Sequence, residues 1–419
     1  MQKKIGVLQL SGLIAGAVLG SGVILLPPIA QARLGQWTLA AWLVIMGLGA
    51  AFAMVFAKLA LAYPGAEGAP IAIRKAFGAR AGRLASVYLL CAVCVGPTAV
   101  LMTAAKTISH AVHLQPDVET LMAGGLLLLC GWLLTRRITL VGNIAFAASV
   151  AVSIVLVAGS LTTICTEPTL PLPGTPLDIA AMGRTLLVLF WAIIGWEIIG
   201  NYTMDVRQPK TTIPVATALA VTIICGVYIL IAWALAVIPP TQGPYTQGPR
   251  SVAAVVTILL GPLADVVIML ITTTLCVCTY LMIVGGVSRL AASLALEHRL
   301  PAVLAKRNKH DAPVAALGLL VGLQFISLLL LHLKILSLED IIAAANAFFL
   351  SNSLLAVAAA MRLIPPWPLR MACALLCLGF VSLLSFSPPW ILVGLGAVTC
   401  AVLAQEAGLL QRKHTKERA

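Results

Sequence analysis

Long apolar runs separated by short polar breaks follow one another along the whole chain. Twelve stand out, near 8–31, 37–62, 85–111, 119–135, 138–164, 180–203, 213–238, 256–292, 313–333, 338–362, 369–386 and 389–407. A helix that crosses a bilayer needs about 20 apolar residues, and each run is long enough to be counted as one. Stretches such as 215–237 are continuously apolar, whereas strands of a membrane barrel alternate over about ten residues. Only helices and closed barrels satisfy the backbone in hydrocarbon, so the pattern predicts helices. The eighth run is longer than a membrane requires, and its polar end at 289–299 is expected to protrude. The opening, Met1-Gln2-Lys3-Lys4 before the apolar run 6–32, could imitate a signal peptide. That run is too long for a signal core and lacks a clear small-residue cleavage site, so it is read as a retained first helix.

Composition agrees and excludes a soluble globule. Of 419 residues, 61% are apolar and 10% charged, against roughly 45–50% and about 25% in soluble proteins. Mean hydropathy is +1.04. The net charge of +13 could suggest a nucleic-acid partner, but its distribution says otherwise. With the N-terminus inside, 22 of the 27 basic residues fall on the cytoplasmic side, leaving Arg33, Lys106, Arg184, Arg250 and Lys334 outside. That asymmetry is the positive-inside rule; the basicity sets orientation, with both termini cytoplasmic and no nucleic-acid partner. Of the ten cysteines, nine sit within apolar runs and Cys165 lies near an outer loop. They read as small polarizable core residues rather than a disulfide or zinc framework.

Two runs contain what a plain spanning helix avoids. In the first, Gly16, Gly20 and Gly22 fall within seven residues around Ser21, and interior glycine lowers helix stability by up to about 1 kcal/mol. In the sixth, Phe190-Trp191-Ala192-Ile193-Ile194-Gly195-Trp196-Glu197 places a carboxylate at mid-span, where an acidic group costs roughly 2.5–3.5 kcal/mol. The glycines alone could serve close helix packing. Each break, however, opens a block of five helices. Matching interruptions in two halves mark an inverted-repeat secondary transporter with a midplane site. Free amides at a half-helix start hold an anion, and free carbonyls at the opposing end hold a cation, so a zwitterionic amino acid fits. No cofactor or metal is called for: no phosphate loop, serine-hydrolase elbow or helical zinc pair occurs, and the six histidines lie in loops, the tail or near helix ends.

These residues carry a resemblance. Gly20-Ser21-Gly22-Val23-Ile24-Leu25-Leu26-Pro27 resembles the first-helix motif of the amino acid–polyamine–organocation superfamily, and Phe190 to Glu197 resembles its sixth-helix motif. Asp205-Val206-Arg207-Gln208-Pro209 with Ile213-Pro214, and Arg299-Leu300-Pro301 with Ala312-Pro313, resemble its later loop motifs in matching order. Trp196, Asp205 and Gln208 depart from the usual residues at their positions. Within the superfamily the chain looks closest to the bacterial methionine and branched-chain amino acid exporter family. The resemblance implies an all-α membrane protein of twelve transmembrane helices. Its architecture would be a five-plus-five inverted repeat with discontinuous helices one and six: 1–164, 165–362, two further helices at 363–407 and a tail at 408–419. It implies a substrate carboxylate at the amides of Ser21 and Gly22, with Gly20 allowing close approach, and an ammonium at carbonyls near Phe190, Trp191 and Ile194. Trp191 would close over the substrate, and Glu197 would serve proton-linked gating; the alternative for Glu197 is a neutral carboxylic acid hydrogen-bonded between helices.

Apolar walls and the absence of a second mid-depth acid favour a neutral aliphatic or thioether side chain. Asp265 is expected at the outer start of helix eight, and Lys106 near an outer helix end, where it can snorkel. Sodium-coupled relatives use hydroxyl pairs in helix eight; Thr279 and Ser288 are well apart, so proton antiport through Glu197 is preferred. The expected partners are a small amino acid and the lipid bilayer of the cytoplasmic (inner) membrane, with export as the expected direction. An importer or exchanger is the alternative within transport. A sensor would want a soluble output domain, and an intramembrane enzyme would need a partner for Ser21, so neither is favoured.

Overall fold

The computed structural model describes residues 5–63, 68–115, 117–136, 141–166, 174, 176–196, 199, 203, 206–238, 252–297, 299–364 and 367–417. Among these there is no strand, and helices account for nearly everything. The first apolar run is two half-helices, α1 (Val7–Leu19) and α2 (Gly22–Leu34). Next come α3 (Thr38–Ala62), α4 (Gly68–Phe77), α5 (Ala79–Val95), α6 (Pro97–Ala111), α7 (Asp117–Leu134) and α8 (Val141–Thr166). The sixth run supplies α9 (Ile179–Leu189), which tightens into a 3-10 turn at Phe190–Ile193. The remainder is α10 (Pro209–Val237), α11 (Val252–Leu260), α12 (Ala264–Leu296), α13 (Val314–His332), α14 (Leu338–Leu363), α15 (Trp367–Ser385) and α16 (Pro389–Glu417).

Nine helical stretches among the described residues are long and apolar enough to cross a membrane, and three shorter apolar helices accompany them. Large apolar side chains such as Leu121, Leu378 and Val393 are about 70% or more exposed, which suits lipid rather than water. Three features differ from the pattern-based expectation. A short helix, α4, occupies the loop after α3, carrying Arg74 and Lys75 in its last turn. The third run is divided at Gly96–Pro97, and the eighth is divided by a 3-10 turn at Gly261–Leu263. Both divisions sit at a glycine followed by proline, which lacks the N–H that would continue the ladder.

Burial grades the helices from centre to rim. The apolar window of α14 is 72% buried and that of α15 only 22%, so α14 is central and α15 peripheral. Half-helix α1 packs on α8 and α10, while α9 packs on α2, α3, α14 and α15. Aromatic rings fill the space behind α9: Phe190 meets Phe380 edge-on at 5.4 Å, and Phe380 meets Phe52 at 5.3 Å. Two contacts tie the ends of the broken runs. Ile5 pairs with Val206 as a parallel backbone bridge, with the Arg207 amide donating to the Ile5 carbonyl at 3.0 Å. At the far end of α2, Arg33 forms an ion pair with Glu339 in the first turn of α14. That turn is held by a capping box between Ser337 and Asp340.

Candidate functional site

The first break is built by a backbone conformation that side chains disfavour. Gly20 has φ +34° and ψ −134°, in the left-handed half of conformational space that glycine enters without penalty. Its amide still donates to the Gly16 carbonyl at 3.3 Å, and the Leu25 amide donates to the Ser21 carbonyl at 3.2 Å. Between these two bonds the helix restarts. The last carbonyls of α1 and the first amides of α2 have no partner within their own helices. Pro27 and Pro28 inside α2 likewise remove two donors further along. Ser21 is 1% exposed, and its hydroxyl has no hydrogen-bond partner among the described residues.

The second break follows the 3-10 turn. Ile194 is extended (φ −83°, ψ 144°) and Gly195 has φ +117°, so the chain leaves the helical path there. A Cβ on Gly195 would lie 3.2 Å from Val18 Cγ2 and 3.5 Å from the Ala17 carbonyl carbon. The two breaks are therefore in contact through the last turn of α1. Trp191 bridges to the other side. Its Cδ1 is 3.4 Å from the position of a Cβ on Gly22, and its Cη2 is 3.1 Å from that of one on Gly96. Its ring also meets Phe349 edge-on at 6.3 Å and packs against Val100, Ala104 and Cys276.

Gly20, Ser21, Gly22, Trp191 and the Ile194–Gly195 segment thus converge. The ring of Phe190 does not: it is fully buried against Phe380, so only its backbone could serve a ligand. Glu197 and Asp205 lie outside the described residues. Lys106 is exposed and Asp265 stands in the first turn of α12, which agrees with peripheral roles. Ser288 donates to its own helix at the Gly285 carbonyl (3.0 Å). Thr279, by contrast, comes to the first break, with Oγ1 3.0 Å from the position of a Cβ on Gly20.

Several further residues were invisible to the sequence reasoning. Asn346 of α14, fully buried, donates from Nδ2 to the Leu187 carbonyl at 2.7 Å and the Val188 carbonyl at 3.1 Å. It thereby caps the end of α9 from another helix. Gln324 of α13 does the same for α5: its Nε2 donates at 2.8 Å to the Val93 carbonyl, whose helical partner would have been the N–H that Pro97 lacks. Tyr280 donates to Gln324 Oε1 at 2.6 Å and holds that amide in place. Tyr228 of α10 brings its hydroxyl to the start of α2. A lone polar residue within an apolar run, such as Asn346 between alanines, was the available signal for each.

Two helices broken at glycine, held in contact, and capped by polar side chains from their neighbours can offer amides to an anion and carbonyls to a cation. The sequence profile of the amino acid permease family matches residues 5–404, so it covers every element of this arrangement. The chain belongs to the amino acid permease family. Among its relatives, the amino acid permease YecA of Bacillus subtilis is 24% identical over 371 residues, covering 87% of this chain and 86% of the relative. The L-methionine/branched-chain amino acid exporter YjeH of Escherichia coli is 26% identical over 375 residues, covering 87% of each. The cadaverine/lysine antiporter of E. coli is 27% identical over 346 residues, covering 78% of this chain and 75% of its own. The permease is accordingly a multi-pass membrane protein and an amino acid transporter rather than an enzyme.

Proposed function

We propose that this permease exports neutral amino acids with aliphatic or thioether side chains across the cytoplasmic (inner) membrane by alternating access. The observation that carries the proposal is the contact between the two broken helices, Gly195 against Ala17 and Val18, with Trp191 beside Gly22. The amides of Ser21 and Gly22 receive the substrate carboxylate, and Gly20 lets it approach. Carbonyls near Phe190, Trp191 and Ile194 receive the ammonium. Around them stand twelve spans in two inverted blocks, 1–164 and 165–362, followed by two helices at 363–407 and a tail at 408–419, with both termini cytoplasmic.

Neutral selectivity is supported by the side chains that meet at the breaks. Trp191 meets Phe349 and packs against the cluster formed by Val100, Ala104 and Cys276, while Thr279 and Tyr228 bring hydroxyls to Gly20 and Gly22. Among the described residues, no acid figures in these contacts to pair with a second cation. Counterflow in proteoliposomes with radiolabelled amino acids is expected to show exchange of methionine, leucine and valine. Exchange of lysine or cadaverine alone would overturn the neutral assignment.

Trp191 spans from Gly22 to Gly96, so its removal opens the site along its length. Trp191→Ala is expected to lower flux by about tenfold or more, the scale of losing a large aromatic contact; untouched affinity and flux would exclude it from the site. Glu197, beyond Gly195 in sequence, couples transport to protons by binding one in one state and releasing it in the other. Glu197→Gln should flatten or shift the pH dependence of flux, and an identical profile would remove the proton role.

A further inference from the structure

Tyr228 is fully buried in α10, and its hydroxyl has no hydrogen-bond partner among the described residues. Its ring is fixed: it stacks on Trp42 with centroids 4.6 Å apart and planes 17° from parallel. The hydroxyl is thereby delivered to the first residue of α2, 2.7 Å from where a Cβ on Gly22 would be. Buried hydroxyls are nearly always paired, because leaving one unpaired forfeits the water it gave up. Here the pairing is missing at the very point where the first amides of a 13-residue helix are also free, next to the unpartnered hydroxyl of Ser21.

We infer that Tyr228 is a substrate-binding residue whose hydroxyl donates a hydrogen bond to the α-carboxylate of the amino acid. The inference rests on the proposed placement of the carboxylate at Ser21 and Gly22 and adds a ligand from a third element, α10. The carboxylate, rather than the ammonium, is the group read because the start of α2 carries the positive end of the helix dipole. A cation there would be repelled by the amides, whereas an anion is drawn to them and finds the phenolic hydrogen beside them. With the ring clamped on Trp42, the donor needs little ordering on binding, so it discriminates strongly for a carboxylate over a neutral isostere. Gly22 then has a second role, since it leaves room for this hydroxyl as well as for the substrate.

Tyr228→Phe removes one oxygen and keeps the stack on Trp42. Equilibrium binding to the full-length purified protein would be measured with L-methionine and L-methioninamide, alongside thermal melting without ligand. The expected result is an unchanged melting profile and a methionine affinity about ten- to a hundredfold weaker, the range for a hydrogen bond to a charged group. The preference for acid over amide should fall by about tenfold. That ratio is internal to one sample, so a partly unfolded preparation loses sites for both ligands alike and leaves it unchanged. A Tyr228→Phe protein that keeps the wild-type acid-to-amide ratio overturns the inference while leaving the carboxylate placement intact. A wild-type protein that binds acid and amide equally overturns both. If the wild-type protein binds lysine and not methionine, neutral selectivity falls and the same comparison with L-lysinamide decides Tyr228; binding of neither amino acid ends both readings.

Discussion

Gly22→Val is expected to abolish substrate binding while the protein still inserts and folds. Any Cβ at this position would lie 2.7 Å from the Tyr228 hydroxyl oxygen and 3.4 Å from both Trp191 Cδ1 and Leu26 Cδ1. The tyrosine cannot swing aside, because its ring is stacked on Trp42 inside the core. The start of α2 must therefore retreat, taking its free amides with it. A misplacement of about 1 Å at a positioned site costs on the order of a hundredfold, so affinity and flux should fall at least that far. The control is Gly226→Ala on the same helix as Tyr228, where an added Cβ meets nothing within 4 Å. Scintillation-proximity binding of both variants checks the prediction; wild-type affinity in Gly22→Val would rule out a site at this break.

Asn346→Leu is expected to produce the largest loss of stability. The change keeps the branched shape of the side chain but removes Asn346 Nδ2, the donor to the Leu187 and Val188 carbonyls in a fully buried setting; Val188 keeps the Phe190 amide, whereas the Leu187 carbonyl is stranded. An orphaned buried group costs about 1–3 kcal/mol, so the loss at the Leu187 carbonyl is worth about that much. The damage is local in origin: α9 would relax toward a more regular helix, carrying Phe190 and Trp191 with it. Thermal melting in detergent should drop markedly, and transport should fail even where protein is recovered. A variant with wild-type melting and flux would show that the end of α9 needs no cap from α14.

The helical class, the membrane setting and the places where helices one and six break were all legible in the chain. Apolar runs of spanning length have no other stable form in lipid, and glycine at Gly20 and Gly195 marks backbone that L side chains resist, as their φ values of +34° and +117° bear out. The resemblance then named the right family, and with it amino acid transport in general. The caps and hydroxyls around the site were not legible. Tyr228 sits between Val227 and Ile229, and Asn346 between Ala345 and Ala347; nothing in such runs says which way a lone polar residue points. A helix turned by one residue, about 100°, would aim either at lipid or at another neighbour.

By itself, then, the order of residues determined that the chain belongs in a bilayer and where its backbone hydrogen bonding had to fail. Both are local matters, set by apolar run length, glycine and proline against the demands of hydrocarbon. Which groups would meet at the failures was decided only by tertiary packing. The end of α9 is satisfied by a residue about 160 positions away, the freed carbonyl of Val93 by one 231 positions away, and the start of α2 faces Tyr228 because α10 packs on it. Broken helices in hydrocarbon must borrow partners from other helices, and the choice of lender is a property of the fold.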